Sequence, residues 1–371
     1  MSDAEVVVVG AGVVGMACAA RLAAAGRSVV TLERHAGPGS ETSSRNSGVI
    51  HAGLYYPPGS LKARTCVEGR KLLYERAQRL GIAHRRIGKL VLATCAMEQQ
   101  VLNRICARGI ENGAGALRVI DTAEIARLEP RVRALAALWS PETGIVDAHA
   151  LVDSYRREAQ DHGGQLALRT HVVGLARCSG SWRVRTRSSN GDVFTLDADF
   201  VVNAAGLDAD RVASLAGIDV AMAGYRQHPC KGDYFAVRMP GGSVRHLIYP
   251  VPGRHSLGIH LTLDLQGRLR AGPDVHYVAD IGYDVDPSKA AAFGDALRRY
   301  LPSVRDEDLS PDYAGIRPKL QGPEDAARDF VLEEASGHGA PRLINLVGIE
   351  SPGLTAAEAL AARVEALVRG H

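Results

Sequence analysis

Residues Val6 to Val9 form an unbroken β-branched run, the pattern of a strand buried on both faces. Gly10-Ala11-Gly12-Val13-Val14-Gly15 interrupts it, and apolar positions then recur at helical spacing through Ala17, Ala20, Leu22 and Ala24 to Gly26. Ser28 to Leu32 is a second apolar strand, closed by Glu33. Two later stretches repeat the strand-to-helix pattern. Ala198 to Gly217 runs from an apolar strand into small residues and then a helix, with Asp208 and Asp210 as its start signal. Pro341 to Val368 reads as a strand, a turn bearing glycine and proline, and an alanine-rich helix opening at Gly353-Leu354-Thr355. Other segments alternate apolar and polar positions as antiparallel strands do: 85–94, the hairpin within 181–206, and 231–264. The last reads as a meander with a turn at Gly241-Gly242 and strands near 232–238, 245–250 and 256–263. The expected fold is therefore α/β (α+β overall), with a Rossmann-like domain interleaved with an antiparallel-sheet domain. Residues 1–84, 145–217 and 311–371 make the first, and 85–144 and 218–310 the second.

The glycine turn has a chemistry that its residue types dictate. Gly10 permits the tight turn, Gly12 lets the backbone approach a pyrophosphate, and Gly15 lets helix and strand pack closely. The pyrophosphate would rest on free amides at the positive end of the helix. Glu33 can accept hydrogen bonds from the hydroxyls of an adenine ribose and would repel a 2′-phosphate. The turn alone leaves NAD and FAD open. No second glycine fingerprint exists for a separate NAD site, and the dinucleotide domain is interrupted twice, so FAD is the expected cofactor.

Composition narrows the picture by exclusion. The 371 residues are 46% hydrophobic and 23% charged, with a net charge of +3, which gives no electrostatic footprint for nucleic acid. The cysteines at 18, 66, 95, 106, 178 and 230 have neither zinc-site nor redox-motif spacing, so no metal and no disulfide framework is expected. The apolar N-terminal stretch lacks a basic leader and is broken by glycines, and no other window is long enough to span a bilayer. Cytoplasmic residence is the expectation, with peripheral attachment to the inner face of a membrane as its variant.

Ser43 to Arg64, SSRNSGVIHAGLYYPPGSLKAR, is dense in polar groups able to touch a ligand. Together with the glycine turn and Glu33, the NAAG strand end and the C-terminal glycine-bearing turn, it resembles the D-amino-acid oxidase superfamily of FAD enzymes. Within it, RNSGVIHAGLYYPPGSLKA, KGDYF, IYPVP followed by LGIHLT, and GIRPK followed by DFVLE are most similar to the L-2-hydroxyglutarate dehydrogenase/oxidase family. These patches are ordered along nearly the whole chain. The segment GIESPGLTAAEAL keeps a Ser-Pro pair and otherwise follows the family pattern loosely.

The resemblance implies FAD-dependent oxidation of a small 2-hydroxy acid, or of an amino acid, amine or glycerol 3-phosphate on the same fold. The substrate would be a small carboxylate, and oxygen, a quinone or an electron-transfer protein would reoxidise the flavin. Cofactor contacts are implied for Gly10, Gly12, Val14, Gly15, Glu33 and Arg34, and for Thr42, Ser43, Arg45, Asn46, Ser47 and Gly48. Further contacts are implied for Val172, Val173, Ala204, Ala205, Gly206, Ser351, Pro352, Gly353, Leu354 and Thr355. His51 is the first candidate for a base, because an imidazole accepts protons near neutrality; it also fits a purely orienting role or a covalent link to flavin. His260 is the rival base. Arg317 is the expected carboxylate clamp and also borders the cofactor, with Lys231, Lys62, Tyr56 and Tyr249 completing the substrate cavity.

Overall fold

A computed structural model of the chain describes residues 2–253 and 258–370. Its centre is β1 (Ala4–Val9), paired in parallel with β2 (Val29–Leu32) on one side and with strand Val193–Asn203 on the other. Val6 and Val8 join one apolar cluster while Val7 and Val9 join another, which explains why the run has no polar position. Helix α1 (Val13–Ala24) packs on the first face beside helices Ala148–Asp161 and Gly353–Arg369. The short helix Ala209–Leu215 covers the other.

Strand Val193–Asn203 is a fork in this eight-stranded sheet. Its first half pairs antiparallel with Ser181–Ser188, and its last three residues pair in parallel with Ala340–Val347. The hairpin read from the sequence thus forms the antiparallel margin of the dinucleotide sheet itself. The polar loop 43–60 ends in a helix that the apolar pattern did not announce, α2 (Leu61–Leu80). It is capped by the Ser60 side chain and ended by Gly81 in the left-handed conformation, φ 66°. It packs along the C-terminal helix, and a Cβ on Gly69 would stand 2.3 Å from the carbonyl oxygen of Thr355.

A nine-stranded sheet forms the second layer of architecture. His228–Val237 and Leu309–Lys319 pair antiparallel along most of their length, so the boundary expected at residue 311 falls inside a strand shared with this sheet. The expected meander is not a run of neighbours. His228–Val237 and Leu247–Pro250 are separated by Leu269–Ala271 and Leu261–Leu263, because the chain crosses the sheet after the turn at Gly241-Gly242. Of the strand expected at 256–263, residues 256 and 257 lie outside the described residues, and the observed strand is Leu261–Leu263. One pair is parallel, Leu247–Pro250 with Lys89–Ala93. Those two strands are far apart in sequence, so no tight turn constrains their direction.

Gly69→Ala would stabilise an isolated helix, yet here its methyl group meets a backbone oxygen. We expect a loss of about 1–3 kcal/mol from overpacking, read as a lower thermal midpoint. An equal or higher midpoint would show that α2 and the C-terminal helix are free to part.

Candidate active site

At the carboxyl ends of β1 and its neighbours lies a groove of two connected lobes that share Gly12, Thr42, Ser43, Ala204 and Gly206. The narrower lobe, with about 670 Å³ of empty volume, is walled by Gly10, Glu33, Arg34, Val172 and Ala205. The wider one, with about 1270 Å³, runs from Val14 and the 42–47 loop to Arg317, Tyr249, His260 and the start of the C-terminal helix at Ser351–Leu354. A long ligand with one small and one broad end fits this shape. Most residues expected to touch a dinucleotide line it; Gly15, Gly48, Val173 and Thr355 stand behind the wall.

The turn at the join is shaped by absent side chains. Gly10 has φ 100°, and a Cβ there would lie 2.6 Å from the Ala204 carbonyl oxygen; one on Gly15 would lie 2.0 Å from the Gly10 carbonyl oxygen. The Glu33 carboxylate accepts from the Ala11 amide at 2.8 Å and from the His35 amide at 2.8 Å, so it braces the turn as well as facing the narrow lobe. Ser43 Oγ accepts from the Val13 amide at 2.9 Å. Asp208 stands at the start of its helix without capping it, because its carboxylate instead accepts from Arg34, which also donates to Glu41.

The loop that follows is held by its own polar groups. Asn46 donates through Nδ2 to the Ser43 carbonyl at 2.6 Å and accepts at Oδ1 from the Gly48 amide at 2.7 Å. Gly48 has φ 65° and turns against the Val146 carbonyl oxygen, 2.8 Å from where a Cβ would sit. The Arg45 guanidinium lies 3.9 Å over the Tyr283 ring. Beyond the turn, the His51 amide donates to Thr355 Oγ1 at 3.0 Å, so buried Thr355 ties the loop to the C-terminal helix. This puts the His51 imidazole beside the first turn of that helix, with Nε2 3.2 Å from Ser351 Oγ. Tyr56 does not line the lobe, and burial pushes its hydroxyl well above the ordinary value.

The second sheet roofs the wide lobe. Next to the cross-strand ladder Ile248, Leu261, Ala271 and Phe235, the neighbouring positions Tyr249, His260, Gly272 and Tyr234 share one face. Tyr249 and His260 stack at 3.5 Å, and Tyr234 stacks on Tyr313 at 4.5 Å. Gly272 leaves a gap in this row. Arg317 reaches the cavity with Nη2 donating to the Asp274 carbonyl at 3.2 Å.

The lysines fall out differently from expectation. Lys62 is buried behind the wall, donating to Glu350 at 3.0 Å and to the Arg328 carbonyl at 2.9 Å. Lys231 donates to the Asp284 carbonyl and lies 3.5 Å from Asp233. Neither presents its ammonium to the cavity. Glu350, missed in the sequence, lines the wide lobe; burial would raise its carboxyl, but Lys62, Lys319 and Arg317 outweigh that and hold it below the ordinary value. Also missed was Lys89, wholly buried in the apolar strand Lys89–Ala93, where a lone charge in an inward run was the available signal. Burial lowers its ammonium to about 7. Burial first and the Lys89 charge second depress the His51 imidazole to about 3. Tyr234, likewise not anticipated, completes the roof.

A family model described as "DAO: FAD dependent oxidoreductase" matches residues 5–367. The chain is 37% identical to the mitochondrial L-2-hydroxyglutarate dehydrogenase of Arabidopsis thaliana, across 97% of this chain and 82% of that protein. It is 29% identical to the mitochondrial enzyme of the same name from Homo sapiens, across 98% and 88%. Among solved structures, L-alpha-glycerophosphate oxidase from Mycoplasma pneumoniae with FAD bound superposes with a TM-score of 0.88 at 27% identity, covering 100% of this chain and 95% of that one. The two-lobed groove, with its glycine turn too tight for any side chain at Gly10, fits the cofactor those comparisons carry. The chain belongs to the DAO family and is an FAD-dependent oxidoreductase.

Proposed function

We propose that this enzyme oxidises a small 2-hydroxy acid of the L-2-hydroxyglutarate type, with His51 accepting the hydroxyl proton. The observation that carries the reading is the meeting, on one cavity, of a guanidinium (Arg317) and two imidazoles (His51, His260) beside the start of the C-terminal helix. Bound FAD would accept the hydride that leaves the substrate carbon. Arg317 suits a carboxylate, since its planar fork can hold both oxygens. His51, fixed through its backbone by Thr355 and through its ring by Ser351, is poised to take a proton. With its imidazole at about 3, it rests uncharged throughout the neutral range. A substrate carboxylate in the same cavity opposes the Lys89 charge and raises its proton affinity when the base is needed. His260, stacked on Tyr249, lies across the cavity as the alternative base.

A second reading has a specific support. The glycerophosphate oxidase superposes over the entire chain, and Arg317 would serve a phosphate as well as a carboxylate.

Anaerobic addition of L-2-hydroxyglutarate to the FAD-loaded protein should bleach the flavin's visible absorbance. Retention of the oxidised spectrum, with bleaching by glycerol 3-phosphate instead, would favour the second reading. His51→Ala should lower turnover by about 10²-fold or more with FAD content unchanged; near-normal turnover would remove His51 from the chemistry. Arg317→Lys should raise KM strongly while kcat falls less, and an unchanged KM would contradict the clamp.

A further inference from the structure

We propose that Lys89 is a positioning residue that determines specificity: from the far side of the cavity-lining Tyr249, at the edge of the roof, it supplies the positive charge that favours a second carboxylate on the substrate. This rests on the 2-hydroxy-acid reading and sharpens it to dicarboxylates. Lys89 is 0% exposed, and among the described residues its Nζ has no hydrogen-bond partner. It lies 4.1 Å from the centroid of Tyr249 and 5.5 Å from that of Tyr55, whose hydroxyl is also buried without a partner. The parallel His260 ring at 3.5 Å covers one face of Tyr249, which leaves the other face to the ammonium. Along the roof, from strand to strand, the order is therefore imidazole, phenol ring, cation.

The other lysines near the site are spoken for. Lys62 and Lys319 face Glu350, Lys289 bridges Asp233 and Asp274, and Lys231 is held by Asp233 and the Asp284 carbonyl. Lys89 alone among these five has no carboxylate or carbonyl partner. An uncompensated buried ammonium is costly, and the adjoining cavity is where a counter-charge can enter. Arg317 takes one carboxylate, and Lys89 makes the opposite end of the same roof electropositive.

The groups facing Lys89 are Cys66 from α2, Tyr55 and His51 from the loop before it, and Tyr249 from the neighbouring strand. Burial pushes Cys66 up to about 12 and both tyrosines upward, while His51 sits at about 3. Near neutrality Lys89 is the member of this group that changes charge. It is cationic below about 7 and loses that charge as pH rises.

The test compares L-2-hydroxyglutarate with L-2-hydroxypentanoate, which has a methyl group in place of the distal carboxylate, in holoenzyme carrying Lys89→Met or Lys89→Arg. In Lys89→Met the preference for the dicarboxylate over the monocarboxylate should fall about tenfold or more, through KM, on top of whatever common change the loss of the Lys89 charge at His51 imposes on both acids. Lys89→Arg should restore much of it. The wild-type preference should decline from pH 6 to pH 9, crossing about 7, and the Met variant should show no such decline. An unchanged preference in Lys89→Met, or equal losses for both acids, would overturn the assignment. If neither acid reduces the flavin, the 2-hydroxy-acid reading fails separately. Flavin spectral titration with glutarate against pentanoate then decides: a wild-type preference for glutarate that the Met variant loses supports Lys89, and equal affinities refute it.

Discussion

Everything at the dinucleotide end depends on how closely Gly10 approaches the end of the adjoining strand. A single methyl group at Gly10 would collide with the Ala204 carbonyl, and one at Gly15 with Gly10 itself. That contact brings two parallel strands, the first helix and the NAAG turn to one point. The Ala11 amide is then anchored by Glu33 and the Val13 amide by Ser43, so the groove is bounded by backbone and short side chains. The second anchor is Thr355, which joins the loop bearing His51 to the C-terminal helix and so ties together two walls of the wide lobe.

Charge around the wide lobe is arranged by elimination. Ion pairs and carbonyl contacts absorb Lys62, Lys231 and Lys289, and the Asp233–Asp274 pair is bridged by the last of these. What faces the cavity is Arg317, Arg45, two imidazoles and Glu350, whose carboxylate is offset by Lys62 and Lys319, with Lys89 beside Tyr249. Such a lobe repels cations and favours anions. The apolar strand around Lys89 removes solvent screening, so one charge there counts for more than several on the surface.

Local rules made the first domain legible. The β-branched run, the glycine spacing and Glu33 specify strand, turn and helix without help from the rest of the chain. The loop from Thr42 to His51 was legible through resemblance, and most of its residues do line the groove; Ser44 and Ile50 do not, and Gly48 forms the turn that aims the rest. Strand order in the second sheet was not legible. Alternation marks a strand but not its neighbour, so His228–Val237 and Leu247–Pro250 looked adjacent when two other strands separate them. Lysine roles were hidden for a similar reason: Lys62 and Lys231 stand in motif segments, yet their partners, Glu350 and Asp284, are distant in sequence. Lys89 belongs to no motif, and its burial appears only once the sheet around it is assembled.

The central claim is that the groove built on the glycine turn holds FAD. Gly12 offers the cleanest test, because an added Cβ there meets only Ser43 Oγ, at 3.2 Å, while pointing its remaining bulk at the groove. FAD affinity of the apoprotein, followed by quenching of flavin fluorescence, should be lost in Gly12→Val while the thermal midpoint of the apoprotein is kept. Undiminished FAD affinity in that variant would contradict the placement of the cofactor.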